Sequence, residues 1–141
     1  MGKCKGHAFH RQCLALQMGA GSSIRCALCG TAYGLRTGSM PPGEMTWRLR
    51  PYGKPCEGFE DVGTWEITYD LCNKRGGRRT AYLPDTKEGR QILSLFVVAF
   101  ERKLTFSVGR SLTTGLPNSV IWAGIHHKTS TTQGPFGYPD P

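Results

Sequence analysis

No run of apolar residues in this 141-residue chain approaches the roughly 20 needed for a helix to cross a bilayer, so a helical membrane span is excluded. The opening segment, MGKCKGHAFHRQC, lacks an apolar stretch of signal-peptide type. The sequence therefore reads as intracellular, cytoplasmic or nuclear, with no membrane partner. Acidic residues are also scarce, ten against 18 lysines and arginines, for a formal charge of +8. That excess points to an anionic partner, whether nucleic acid, an acidic protein surface or a phosphate-bearing ligand, although a solvated basic surface has the same composition. At 38% hydrophobic, the chain can hold one modest core and a small appendage.

Six cysteines would suit a disulfide framework, but four of them alternate with histidines at metal-ligand spacing. Cys4-x2-His7-x2-His10-x2-Cys13 is followed after twelve residues by Cys26-x2-Cys29. Zinc takes four thiolate or imidazole ligands in a tetrahedron, and an x2 spacing puts two of them on one tight turn. Six ligands exceed one site and fall short of two, so the pattern is that of a larger site whose beginning lies upstream. Cys56 and Cys72 stand apart and are expected to be buried thiols. Leu14, Leu16 and Met18 have the spacing of a short helix, ended by GAGSS at residues 19–23. The stretch from Gly30 to Gly43 is rich in Gly, Pro and hydroxyls and reads as a connector, with a domain boundary near Gly38.

Beyond the connector the periodicity changes. Met45, Trp47 and Leu49 alternate with Thr46, Arg48 and Arg50, which predicts a strand with that apolar face buried, and TWEITYDL at 64–71 predicts a second. The segment 51–63 is a turn-rich loop, NKRGGRR a basic turn and TAYLP at 80–84 a short extended piece. A helix follows, with Asp85 as its cap and Glu88 in capping-box position. Its buried stripe is expected to be Ile92, Leu95, Phe96, Ala99 and Phe100, and Glu101 to Lys103 close it. Leu104–Val108 and Val120–Trp122 are further strands, joined by a loop over 109–119 that carries free hydroxyls. Trp122, His126 and His127 come just after, so an aromatic plate, two imidazoles and a hydroxyl-rich loop meet at a sheet edge, where a pocket for a nucleotide-like ligand can form.

The Cys/His segment resembles the second half of a RING finger. YLPD, LTFSVG, the TTG loop, VIW, IHHKT and GYPDP, all behind that knuckle, resemble the Deltex family of RING ubiquitin ligases. The resemblance implies an α+β chain: residues 1–37 as the C-terminal part of a RING-type zinc finger, and residues 38–141 as a Deltex C-terminal domain with a sheet packed by one main helix, shortened at its C-terminus. The RING pattern implies a complete zinc site at Cys4, His7, Cys26 and Cys29, and half of a second at His10 and Cys13. The Deltex pattern implies recruitment of a ubiquitin-conjugating enzyme (E2) and ubiquitin, and a pocket for ADP-ribose or NAD. The pocket would serve ubiquitylation of ADP-ribosylated protein or nucleic acid. Its residues would be Ser111, Thr113, Thr114, Gly115, Trp122, His126, His127, Phe136 and Tyr138, with Phe136 standing where the family commonly has a second histidine. A neutral imidazole can take a proton from a ribose hydroxyl, and loop hydroxyls and amides can bind phosphate or ribose oxygens. Two other readings stay open: a binding module without ligase activity, and a nucleic-acid binder using Lys74, Arg75, Arg78, Arg79 and Arg110 on phosphates.

Overall fold

The alternation that runs from residue 43 to residue 84 builds a three-stranded antiparallel meander, in a computed structural model that describes residues 4, 6–18, 23–72 and 77–139. The chain divides into two compact units, Met1–Gly38 and Ser39–Pro141. In the first, helix α1 (Arg11–Met18) is followed by strands β1 (Ser23–Arg25) and β2 (Ala32–Gly34), which pair antiparallel with Ile24 opposite Tyr33. The expected connector thus begins later than Gly30, because Ala32–Gly34 is drawn into a hairpin. No residue of α1 is buried. The expected helix stop at 19–22 lies outside the described residues.

In the second unit β3 (Gly43–Arg50), β4 (Thr64–Leu71) and β5 (Arg78–Pro84) form one sheet in sequence order. Ile67 of the central strand stands opposite Trp47 on one side and Ala81 on the other. Residues 73–76 of the basic turn between β4 and β5 lie outside the description. Helix α2 (Lys87–Glu101) follows, and β6 (Phe106–Gly109) and β7 (Ser119–Trp122) make a separate antiparallel pair. Ile67, Tyr69, Ala81, Leu93, Phe96 and Phe106 centre the core. Burial of an aliphatic or aromatic side chain of this size contributes roughly 1.5–3 kcal/mol. Tyr69 is the hub, with the rings of Phe106, Phe100 and Trp122 at 5.2, 5.6 and 5.9 Å from its own.

Four expectations are corrected. The cap of α2 is Thr86, whose hydroxyl accepts the Gly89 N–H at 3.0 Å; Asp85 instead accepts from Trp65 Nε1 at 2.9 Å and pairs with Arg90 at 2.7 Å. The buried stripe of α2 is Gly89, Leu93 and Phe96, while Leu95 is 67% exposed and Ile92 is also exposed. Phe96 is buried as expected and Phe100 packs against the core, but Leu93 takes the place expected of Ile92 and Leu95 because the sheet selects which flank of the stripe it covers. On β3 the apolar face is only partly covered: Met45 packs against the core as expected, but Trp47 is 45% exposed and Leu49 is exposed beside it. β3 is an edge strand and α2 packs on β5 at the other side of the sheet. Finally, Cys56 is fully buried as expected, but Cys72 is exposed, since it lies just past the end of β4.

Candidate functional site

Two places gather chemistry-bearing side chains. In the first unit, the backbone N–H of Gly30 donates to Cys26 O, and Cys26 N–H to Thr31 O, both at 2.8 Å; this tight turn presents Cys26 and Cys29. Gly30 closes the turn at φ +72°, a left-handed conformation that glycine adopts without strain. Cys4 is tied to β2 by its N–H, which donates to the Tyr33 hydroxyl at 2.9 Å. Cys4 Sγ lies 2.8 Å from His7 Nδ1 and 3.5 Å from Cys26 Sγ, and Cys26 Sγ lies 3.4 Å from His7 Nδ1. All four ligand atoms, including Cys29 Sγ, fall within 4.8 Å of one another. Zinc bonds of about 2.0–2.3 Å span a tetrahedron with edges of roughly 3.5–3.8 Å. The 3.4 and 3.5 Å separations match such edges, the 2.8 Å one would have to open on binding, and three thiols with one imidazole are a donor set that suits that ion. The hydroxyl of Thr31, aided by its backbone, holds the Cys29 thiol down at about 6, while desolvation pushes Cys4 up to about 11. A bound cation favours the thiolate form of all three. Among the described residues His10 and Cys13 join no such group. Both are exposed, where α1 begins.

In the second unit a cavity of about 440 Å³ opens beside the end of β7, lined by Thr113, Trp122, Gly124, Ile125, His126, His127, Thr129 and Phe136. The two histidines differ completely. His127 is buried, stacked on Phe96 at 3.9 Å and lying against Trp122 at 4.4 Å. Its Nδ1 meets Ile125 O at 2.8 Å; a carbonyl only accepts, so the proton sits on Nδ1, and Nε2 accepts from the Tyr69 hydroxyl at 2.8 Å. Burial pushes its pKa down to about 4, so the ring is neutral and both nitrogens are engaged. It fixes Trp122 and Ile125 rather than offering a free base. His126 is exposed, with Phe136 at 5.9 Å in near-parallel stacking. An accessible imidazole and two aromatic plates therefore border one cavity whose lining is largely apolar.

Of the remaining sequence-predicted residues, Ser111, Thr114 and Gly115 do not line the cavity. They build the loop instead: Thr114 N–H donates to Ser111 Oγ at 3.2 Å, and Gly115 N–H to Ser111 O at 2.8 Å. Tyr138 is buried, its hydroxyl donating to Tyr82 O at 3.0 Å. Gly124, Ile125 and Thr129 were not singled out by sequence. Their signal is adjacency to the histidine pair, and for Gly124 a φ of +92° that turns the chain out of β7.

A family model described as the Deltex C-terminal domain matches residues 37–141. The chain belongs to the Deltex family. Among relatives of this Deltex chain, human E3 ubiquitin-protein ligase DTX1 is 38% identical over 161 residues, covering 99% of the chain. The Xenopus laevis DTX1 is 39% identical over 162 residues and covers 100%. Human probable E3 ubiquitin-protein ligase DTX3 is 38% identical over 156 residues and covers 99%. The Deltex chain spans 25% of either DTX1 and 44% of DTX3. None of its described helices is long and apolar enough to cross a membrane.

Proposed function

We propose that this chain is the ligase portion of a Deltex-type E3 ubiquitin ligase. On this reading the first unit is a RING-type zinc module that recruits an E2 charged with ubiquitin, and the second holds ADP-ribose or NAD. The observation that carries the second half is the cavity bordered by Trp122, His126 and Phe136 within the span matched to the Deltex C-terminal domain. Aromatic plates suit an adenine ring, and Thr113 and Thr129 offer hydroxyls to ribose or phosphate oxygens. When bound, zinc supplies structure to the first unit and no step of the transfer; Cys4, His7, Cys26 and Cys29 would hold it.

In the transfer, a ribose hydroxyl oxygen attacks the thioester carbonyl carbon of the E2–ubiquitin conjugate. An ester C–O bond forms, the C–S bond breaks, the E2 cysteine leaves as thiolate, and the hydroxyl proton passes to the His126 imidazole. The reaction needs no oxidant and gains chiefly from orientation. The nucleic-acid reading is the weaker one, because Arg79 is committed to Val120 O at 3.3 Å and Arg110 to Gly115 O at 2.9 Å rather than standing ready for phosphates.

Calorimetric titration of the zinc-loaded chain with ADP-ribose tests the pocket. His126→Ala should weaken binding by about tenfold or more while leaving the melting temperature unchanged, since the side chain is exposed and makes no core contact. Discharge of ubiquitin from a panel of E2 conjugates tests the ligase half. A flat titration with wild-type chain sinks the pocket, and the absence of discharge from every E2 sinks the ligase.

A further inference from the structure

A second and larger cavity, about 850 Å³, lies on the outer face of the β3–β4–β5 sheet. Its floor is Thr64, Glu66 and Tyr82, one wall is the 53–60 loop with Lys54, Glu57 and Glu60, and the other is the hydroxyl run from Thr129 to Thr132. The two walls are tied at one end, where Glu57 N–H donates to Thr131 O at 2.8 Å and Gln133 N–H to Glu57 Oε2 at 3.3 Å. Thr129 lines both this cleft and the His126 pocket, so the chain passes directly from one cavity into the other. The ridge is pinned: Tyr82 N–H donates to Lys128 O at 2.8 Å and Thr129 N–H to Phe136 O at 2.7 Å.

The charges decide what suits the cleft. Its lining holds three carboxylates, Glu57, Glu60 and Glu66, against two cations, Arg50 and Lys54. Arg50 pairs with Glu66 at 2.8 Å, and Arg48 reaches the same carboxylate at 2.7 Å. Glu60 accepts the Gly58 N–H at 2.8 Å, and neither Glu57 nor Glu60 forms an ion pair with a described residue. With Glu66 held by Arg48 and Arg50, Glu57 and Glu60 stand against Lys54 alone, a balance that disfavours the phosphates of a nucleic acid. A polypeptide, whose amides both donate and accept and whose lysines or arginines complement Glu57 and Glu60, matches the lining. The volume is at the upper end of the range for ligand pockets and accommodates a few residues of extended chain.

We infer that this cleft is a peptide subsite that takes the basic segment flanking a modified residue while the His126 pocket holds the modification. The inference rests on the ADP-ribose reading of that pocket and names the class of its substrate: a protein modified next to lysine or arginine. Two linked subsites make the second contact intramolecular, so the joined ligand binds more tightly than either part.

The test uses the full zinc-loaded chain and five probes: free ADP-ribose, a ten-residue serine-ADP-ribosylated peptide with flanking lysines, its glutamate-flanked counterpart, the unmodified lysine peptide, and an ADP-ribosylated oligonucleotide. The lysine-flanked modified peptide should bind about tenfold more tightly than free ADP-ribose and than its glutamate counterpart. Glu60→Lys should remove that advantage and leave free ADP-ribose binding unchanged, the latter also reporting that the variant is folded. Equal affinity for the modified peptides, an unaltered advantage in Glu60→Lys, or preference for the oligonucleotide overturns the cleft. Should free ADP-ribose fail to bind wild-type chain, the pocket reading falls and the cleft is judged on the unmodified lysine peptide. Binding of that peptide weakened by Glu60→Lys then supports the cleft, and no binding overturns it.

Discussion

His127 shows how a residue can belong to a pocket without offering it a reactive atom. Its two nitrogens are taken by Tyr69 and Ile125, and burial holds its pKa at about 4, below the 6.5 of a free histidine. A depressed histidine pKa means that the unfolded chain binds the proton more readily than the folded one. Stability is therefore full above about pH 6.5 and falls as pH drops from there toward about 4, by at most about 3 kcal/mol from this residue. Urea melts at pH 7, 5.5 and 4.5 should trace that loss. In His127→Gln, which does not titrate, the acid decline should be shallower on a lower overall stability. An equally steep decline would mean that other groups govern the acid limb.

At the scale of elements, α2 owes its position to a glycine as much as to its apolar stripe. A Cβ built on Gly89 would collide with the carbonyl oxygen of Pro84, at the end of β5, so the first turn of the helix can sit against the sheet only without a side chain there. Gly89→Ala should destabilise by about 1–3 kcal/mol despite alanine's better helix propensity, and thermal melting reads the sign directly. The same helix shows what sequence could and could not give. Its existence and approximate ends were legible from the apolar period and the Asp85–Glu88 stretch, although the cap itself is one residue later, at Thr86. The choice of Leu93 over Leu95 as the buried position depends on the sheet it meets. β4 was legible because both neighbours cover it, whereas Trp47 and Leu49 on β3 look the same in sequence but lie at an edge. At the pocket, Trp122, His126 and His127 announced themselves by type, while Ser111 and Thr114 proved to be loop-building hydroxyls. Which hydroxyl turns inward to its own backbone is decided by loop conformation, which no periodicity encodes.

For the molecule as a whole, the division at Gly38 separates a unit organised around four ligand atoms from one with an apolar core of its own. Removing metal should act on the first alone. Chelation, or Cys26→Ser, should abolish the ordered signals of β1, β2 and the turn that presents Cys26 and Cys29, while the melting transition of the second unit moves by no more than a few degrees. Loss of both transitions together would show that the second unit does not stand by itself.

Within that second unit the contacts that complete the pocket are among the longest in the chain. Tyr69 meets His127 across 58 residues, Tyr82 meets Tyr138 across 56, and Glu57 meets Gln133 across 76, whereas the β3–β4–β5 meander closes between neighbours. Chain closure over such spans costs more entropy than hairpin formation, so the meander should form early and the segment 126–138 should dock last. The history of each molecule is then that of a scaffold waiting for its final stretch. In pulsed hydrogen exchange during refolding, the amides of β4 and β5 should gain protection before those of Thr129 and Gly137, and the cavity beside β7 should be complete only with the second event.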